Sequence, residues 1–199
     1  MGKYLNYREL MEHEKQDRDF RIDFKNGRSK IVVMAPHGGS IEPGTTEIAE
    51  AVAGGEHSFY SFTGLKKKEN RNLHLTSGRF DEPTGIRMAA DAETILSVHG
   101  FKAKDQVVYI GGRDMALRKK IANAIMNARF SVRESPKYPG KNPLNICNRN
   151  RQGRGVQLEI SLGLRLTMFL NLANTSRKST TVQFDKFVSA VKEALSTCL

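Results

Sequence analysis

Residues 31–54 read IVVMAPHGGSIEPGTTEIAEAVAG, and the order of the elements predicted here indicates the fold class. Ile31–Ala35 is a short, continuous apolar run ended by Pro36, which is typical of a strand buried on both faces. His37–Ser40 follows as a glycine-containing loop. Residues 47–54 then predict a short helix, because Glu47 suits the positive end of the helix dipole and glycine closes the segment. A strand, a loop and a helix in this order indicate an α/β protein.

The rest of the chain continues the alternation of strands and helices. Further strands are predicted at residues 57–63, 72–77, 94–98, 106–110, 130–133 and 156–161. Helices are predicted at residues 84–91, from the capping Asp114 onward, and across residues 184–195. Residues 137–154 form a long irregular segment, and residues 162–173 fit no single type. We therefore expect one catalytic domain over residues 1–199, with three layers and a mixed, mostly parallel sheet of about seven strands flanked by helices.

Composition narrows the classes of partner. The 199 residues carry a net charge of +11 at pH 7, a field that attracts polyanions. No apolar run approaches the roughly 18 residues of a membrane span, so we expect no membrane partner.

The first twenty residues are highly charged and lack the apolar core of a secretory signal, which predicts cytoplasmic synthesis. Cys147 and Cys198 are too few for a disulfide framework and are predicted to be free thiols.

Three polar residues follow predicted strands and form a candidate metal site. His37 ends the first strand, Glu42 lies five residues later, and His99 ends the strand at 94–98. Polar groups at the carboxyl ends of strands converge in open α/β sheets. Two imidazoles and one carboxylate are a recurring catalytic zinc set that leaves one position open. Each residue also has an ordinary interpretation, as a hydrogen-bonded loop histidine or a surface acid.

Glu159 lies inside the otherwise apolar strand VQLEIS. A buried carboxylate is costly unless it is paired or lies near a metal, so this position indicates either a general base or an ion pair with Arg149, Arg154 or Arg165. His74, in NLHLTS, is a candidate for contacting substrate, and a structural histidine of the core or sheet edge is an equal alternative.

Five segments resemble the phage-type poly-γ-glutamate hydrolase family of Bacillus phages and bacilli. They are residues 34–49 (MAPHGGSIEPGTTEIA), 69–83 (ENRNLHLTSGRFDEP), 97–101 (SVHGF), 109–114 (YIGGRD) and 142–165 (NPLNICNRNRQGRGVQLEISLGLR). The resemblance covers about residues 30–195. It implies a zinc-carboxypeptidase-like fold and hydrolysis of the γ-amide bonds of poly-γ-glutamate, an anionic polymer.

The resemblance also implies roles for particular residues. His37, Glu42 and His99 would hold one Zn²⁺ per chain, and Glu159 would be the catalytic base. The first pair is spaced His-x4-Glu here, whereas carboxypeptidases have His-x-x-Glu, so Glu42 departs from the carboxypeptidase pattern. No carboxypeptidase-like Asn-Arg pair is present to bind substrate. The candidate clamps for substrate carboxylates are therefore Arg71, Arg79, Arg149 and Arg154.

Two alternatives remain open from the residues. The first is a zinc amidohydrolase acting on small N-acyl-glutamates or cell-wall peptides. The second is a basic nucleic-acid-binding module with structural histidines; the sequence shows no nucleic-acid-binding motif, and its basic residues are scattered, so we expect no nucleic-acid partner. We further expect a monomer, and the phage resemblance suggests release by host lysis.

Overall fold

The computed structural model describes residues 2–175, 177 and 179–196. Its strands are β1 Phe20–Lys25, β2 Ile31–Gly39, β3 Ser58–Gly64, β4 Thr94–Phe101, β5 Val108–Gly112, β6 Val132–Arg133 and β7 Val156–Ser161. Its helices are α1 Tyr7–His13, α2 Thr45–Ala53, α3 Pro83–Asp91, α4 Met115–Asn127, α5 Leu162–Met168 and α6 Val182–Ser196. Short 3₁₀ helices cover Asn70–Leu73 and Ile146–Asn148.

The strands of the described residues form a seven-stranded sheet in the order β1-β3-β2-β4-β7-β5-β6. The pairs β2–β3, β2–β4, β4–β7 and β5–β6 are parallel, and β1–β3 and β5–β7 are antiparallel. The predicted mixed, mostly parallel sheet is therefore confirmed. Its three central strands, β2, β4 and β7, run in the same direction, so their carboxyl ends meet at one edge, which we call the carboxyl edge.

Helices cover both faces of the sheet, as predicted for three layers. One core contains β2 residues such as Val33, packed with α2, α4, α5 and α6. The other contains the alternate β2 residues, such as Met34, packed with α1, α3 and the irregular segments. This division follows from the period of two in a strand, since adjacent side chains point to opposite faces.

Local signals explain where several helices begin. The Asp114 carboxylate accepts a hydrogen bond from the Leu117 amide and caps α4, as predicted. Glu82 caps α3 in the same way, with Pro83 at the first helical position. Among the described residues, no helix has both the length and the apolar character needed to cross a bilayer.

The prediction of a strand at residues 72–77 is wrong. This segment contains the end of a 3₁₀ helix and a loop that lies over the sheet rather than in it. Its alternation of apolar and polar residues has another cause: Leu73 and Leu75 are buried in the core beneath α1 and α3, whereas His74 between them is only half-buried.

Strand β1 and helix α1 were not predicted. Cys147 is a buried free thiol, and Cys198 lies outside the described residues.

Candidate metal centre

His37 lies in an irregular part of β2. Between Ala35 and Gly38, β2 contains one residue more than the facing stretch of β3, which is a β-bulge. Bulges redirect side chains and are common beside functional sites. The chain turns immediately afterwards at Gly39, whose φ of +62° is a conformation that favours glycine. The bulge and the turn therefore set the direction of His37 and lead the chain back toward the sheet.

This turn brings Glu42 back beside His37. The amide of Glu42 donates a hydrogen bond to the His37 carbonyl (2.9 Å), which closes the loop between the two residues. Its carboxylate accepts a hydrogen bond from the Gly100 amide at the end of β4 (2.8 Å). The Glu42 side chain is 9% exposed, so the loop holds a carboxylate in a nearly water-free position.

His99 completes a cluster with His37 and Glu42. The Nδ1 atoms of the two histidines are 3.1 Å apart. The Glu42 carboxylate lies 3.3 Å from His37 Nδ1 and 3.8 Å from His99 Nδ1. One potential ligand atom from each of the three residues lies within 4.8 Å of the others. The predicted trio is thus brought together at the carboxyl edge, across the adjacent strands β2 and β4.

The spacing of these atoms fits a divalent metal ion. Ligands about 2.1 Å from a tetrahedral zinc ion lie about 3.4 Å from one another. The Nδ1–Nδ1 separation (3.1 Å) and that from His37 Nδ1 to Glu42 Oε1 (3.3 Å) are close to this value, and the other carboxylate oxygen, Oε2, lies 3.8 Å from His99 Nδ1. Two imidazole nitrogens and a carboxylate oxygen, all buried, are also a donor set that such an ion takes. The cluster can therefore bind a metal without rearrangement of the backbone.

The hydrogen bond of His37 selects its ligand atom. His37 Nε2 lies 2.5 Å from the carbonyl oxygen of Leu75, so Nε2 carries the proton and Nδ1 presents its lone pair to the cluster. Such a hydrogen bond on the far nitrogen is the usual way of orienting a metal-binding histidine. His99 Nε2 is buried and has no hydrogen-bond partner among the described residues.

The protonation states of the cluster follow from its burial. Burial lowers the pKa of His99 to about 3, with repulsion from His37 adding to the effect, so His99 is neutral at pH 7. Burial alone would raise the pKa of Glu42, but interactions with His37, His74 and His99 hold it well below its usual value. The cluster thus contains an ionised carboxylate beside a neutral imidazole, both able to donate lone pairs.

Glu159 lies next to His99 on β7, because the parallel register of β4 and β7 pairs these two residues. Burial raises the pKa of Glu159 well above its usual value, and the negative charge of Glu42 adds to this, whereas Arg165 opposes it. A cation held between Glu42 and the histidines would lower that pKa toward the range of a base active at neutral pH.

His74 borders the cluster beside His37. Its ring stacks on His37, with centroids 3.8 Å apart and an angle of 23° between the planes. Its Nε2 atom is 3.5 Å from the Glu42 carboxylate, and 17% of its side chain is exposed. Burial lowers the pKa of His74, and its nearness to His37 and Arg71 contributes. Of the predicted substrate residues, His74 and Arg71 therefore lie near the cluster.

The other predicted arginines do not join the cluster. Arg149 donates hydrogen bonds to the carbonyl groups of Leu144 and Phe80, which ties two loop segments together. Arg154 precedes β7, at the edge of the sheet opposite Glu159, and its Nε atom lies 3.9 Å from the Asp114 carboxylate. Arg79 is exposed, and its backbone amide donates a hydrogen bond to the Thr76 carbonyl. Arg79 and Arg154 are thus both exposed, but Arg154 lies at the amino end of β7, away from the cluster.

Arg165 has a larger role than its sequence position suggests. The sequence suggests it only as an ion-pair partner of Glu159. In the structure its buried guanidinium donates hydrogen bonds to the carbonyl groups of Pro43, Ile160 and Phe101. It therefore joins the loop that carries Glu42 to the ends of β4 and β7. An arginine four residues after a strand end gives no local sign of this, because its partners are distant in sequence.

A fold and a cluster of this kind define an α/β protein with a candidate metal centre at the carboxyl edge of its sheet. The chain belongs to the poly-γ-glutamate hydrolase family, whose model matches residues 4–190. Two relatives from Bacillus subtilis (strain 168) are UPF0714 proteins. YmaC is 36% identical over 197 residues, covering 96% of this chain and 83% of its own length. YndL is 36% identical over 169 residues, covering 83% of this chain and 66% of its own length.

Solved structures share the fold. A bacteriophage poly-γ-glutamate hydrolase superposes with a TM-score of 0.95 at 31% identity, covering 100% of this chain and 98% of that one. The zinc-free apo form of YndL gives 0.93 at 31% identity, covering 100% and 99%. An N-formylglutamate amidohydrolase from Ralstonia eutropha JMP134 gives 0.57 at 12% identity over 90% and 96%, which shows a likeness of fold alone. The predicted relation to zinc carboxypeptidases stays a prediction.

Proposed function

We propose that this chain is a zinc-dependent hydrolase that cleaves the γ-glutamyl amide bonds of poly-γ-glutamate. The observation that carries the proposal is the buried cluster of His37, Glu42 and His99, with three donor atoms within 4.8 Å, in a member of the poly-γ-glutamate hydrolase family. YndL, a relative with the same fold, has a structure described as zinc-free, which supports zinc as the metal.

In this proposal His37 Nδ1, the Glu42 carboxylate and His99 Nδ1 hold one zinc ion. A bound zinc ion polarises the substrate carbonyl and lowers the pKa of a water molecule to about 7. The hydrogen bonds from His37 to Leu75 and from Gly100 to Glu42 keep two of the ligands in place before the metal binds. Preorganisation of this kind reduces the cost of assembling the site.

Glu159 acts as the general base. Its carboxylate accepts a proton as the water oxygen bonds to the amide carbon, and it then gives that proton to the leaving nitrogen as the carbon–nitrogen bond breaks. Its place beside His99 on the neighbouring strand supports this role. The guanidinium of Arg165 favours the ionised form of Glu159 that the first step needs.

The charge of the protein suits the substrate. Poly-γ-glutamate has a free carboxylate on each residue, and a protein of net charge +11 attracts it over the screening length, about 8 Å at physiological salt. We propose that His74, Arg71 and Arg79 bind substrate carboxylates, because His74 borders the cluster and both arginines are exposed. Arg149 and Arg154 are not part of this proposal, since their contacts lie elsewhere.

The test is incubation of the purified, zinc-loaded protein with poly-γ-glutamate, followed by size-exclusion chromatography of the polymer. We expect depolymerisation that stops on treatment with a chelator and returns on adding zinc. An unchanged polymer would contradict the proposal. Release of glutamate from small N-acyl-glutamates, or cleavage of cell-wall peptides, in place of the polymer would assign the site to another amidohydrolase. Binding of a nucleic acid without any hydrolysis would favour the binding module.

A further inference from the structure

A row of side chains crosses three strands at the carboxyl edge. The register of β4 and β7 pairs His99 with Glu159, and the antiparallel register of β5 and β7 pairs Glu159 with Tyr109. Directly paired residues of neighbouring strands project from the same face of a sheet. Tyr109 therefore lies beside Glu159 on the side away from the metal cluster.

Three aromatic rings meet beyond Glu159. Phe101, at the end of β4, stacks on Tyr109 with centroids 5.0 Å apart and an angle of 27° between the planes. Tyr138 packs against Phe101 with centroids 5.7 Å apart. All three side chains are half-buried, whereas aromatic residues of the core such as Phe62 and Phe80 are fully buried. No hydrogen bond joins either phenolic hydroxyl to any described residue, so both are free to bond a ligand.

The backbone that carries Tyr138 is held against the sheet. The Gln157 side-chain amide donates a hydrogen bond to the Tyr138 carbonyl (3.2 Å), and the Gly112 amide donates one to the Pro139 carbonyl (3.0 Å). A Cβ at Gly111 would lie 2.8 Å from the Tyr138 carbonyl oxygen, so glycine is required for this approach. Tyr138 is thus fixed beside the other two rings although it lies in an irregular segment.

We propose that Phe101, Tyr109 and Tyr138 form an aromatic subsite for the γ-glutamyl residue next to the cleaved amide. A γ-linked residue places two methylene groups in the polymer backbone and a carboxylate beside it. The rings pack against the methylenes, and the free hydroxyls of Tyr109 and Tyr138 donate hydrogen bonds to the carboxylate. The ammonium group of Lys137, 5.3 Å from the centroid of the Tyr138 ring, adds a positive charge. This inference rests on the proposed function, since it names the part of that substrate bound beside Glu159.

The test separates binding from catalysis. Binding of γ-linked triglutamate is measured by calorimetry with zinc-loaded Glu159→Gln protein, in which the ligand stays uncleaved. Tyr109→Phe and Tyr138→Phe, added singly, keep the ring and remove only the hydroxyl. We expect each to raise Kd about tenfold, the effect of losing one hydrogen bond to a charged group. In otherwise unaltered enzyme, the same changes should raise KM with little change in kcat and in melting temperature.

Tyr7→Phe is the matched control, because Tyr7 is a half-buried tyrosine that packs against Phe20 and Phe62, away from the cluster. It should leave Kd and KM unchanged. If the unaltered enzyme degrades poly-γ-glutamate but Tyr109→Phe and Tyr138→Phe both keep the parent Kd and KM, the proposed subsite is wrong. The proposed function would then still stand. An unaltered enzyme that neither degrades the polymer nor binds the triglutamate would overturn both.

Discussion

Replacement of Gly38 by alanine tests how the turn between two proposed ligands is built. A Cβ at Gly38 would lie 2.1 Å from the Ser61 hydroxyl oxygen and 2.2 Å from that of Thr46. Contacts this short do not occur, so one side must move. Gly38 has no positive φ, so the destabilising part of the effect is steric.

The two hydroxyls cannot move freely, because they belong to a chain of hydrogen bonds. The Gly39 amide donates to Thr46 Oγ1 (2.9 Å), which is 2.8 Å from Ser61 Oγ. Ser61 Oγ is 2.9 Å from Thr63 Oγ1, and the Thr63 hydroxyl donates to the Asp23 carboxylate (2.7 Å). Since the first group only donates and the last only accepts, each hydroxyl donates along the chain toward Asp23.

The magnitude follows from these contacts. Overpacking a well-packed site costs about 1–3 kcal/mol, and a broken hydrogen bond costs about 1 kcal/mol more. We expect Gly38→Ala to lower the free energy of unfolding by about 3 kcal/mol, which corresponds to a fall in Tm of about 6–12 °C for a domain of this size. Displacement of the turn should also weaken zinc binding, because the turn joins His37 to Glu42.

The assay is urea denaturation of the metal-free protein, with zinc affinity measured by competition against a chelating dye. Gly55→Ala is the control, because a Cβ there meets no atom within 4 Å and its φ is not positive. It should change stability by less than about 1 kcal/mol. Equal stability and equal zinc affinity of Gly38→Ala and Gly55→Ala would show that the close packing at Gly38 does not hold the turn in place.

Four further predictions concern the chemistry of the chain. Glu159→Gln should retain zinc at the parent stoichiometry and lose nearly all hydrolysis, since the base is removed and the ligands stay; near-normal activity in a polymer-size assay would exclude Glu159 as the base. His37→Ala and His99→Ala should each lose the metal in atomic-absorption analysis, and full zinc content in either variant would reject that ligand. Raising the salt concentration should raise KM for long polymer, because added ions screen attraction between the basic protein and its substrate; a KM that does not depend on salt would contradict a role for net charge. Burial raises the pKa of the Cys147 thiol to about 12, so in a Cys198→Ser variant a thiol reagent at pH 8 should react only after denaturation; rapid labelling of the native protein would count against that burial.

Much of the fold could be predicted from the sequence because the central strands have strong local patterns. The apolar run that begins β2 is continuous, as expected for a strand covered on both faces, whereas in β7 Val156, Leu158 and Ile160 alternate with polar residues. Strand β1 was missed although Phe20, Ile22 and Phe24 alternate with charged residues, the usual pattern of an edge strand. Residues 72–77 show the reverse error, since their alternation comes from a loop that covers the core.

The candidate metal cluster could be predicted because His37 and His99 lie near the carboxyl ends of two strong strands, which meet at one edge of the sheet, and Glu42 lies in the loop after the first. The contributions of Arg165 and Tyr138 could not, since each depends on contacts between segments distant in sequence. The arginine predictions had the weakest basis. Arg149 and Arg154 precede β7 in the sequence and so lie toward its amino end, whereas the cluster lies at the carboxyl edge.

The most direct test is X-ray diffraction from zinc-soaked crystals, recorded on both sides of the zinc absorption edge. We predict one anomalous peak per chain, about 2.1 Å from His37 Nδ1, His99 Nδ1 and a Glu42 carboxylate oxygen, with Glu159 facing the open position. A strong zinc peak elsewhere in the chain, with these three side chains free of metal, would contradict the account.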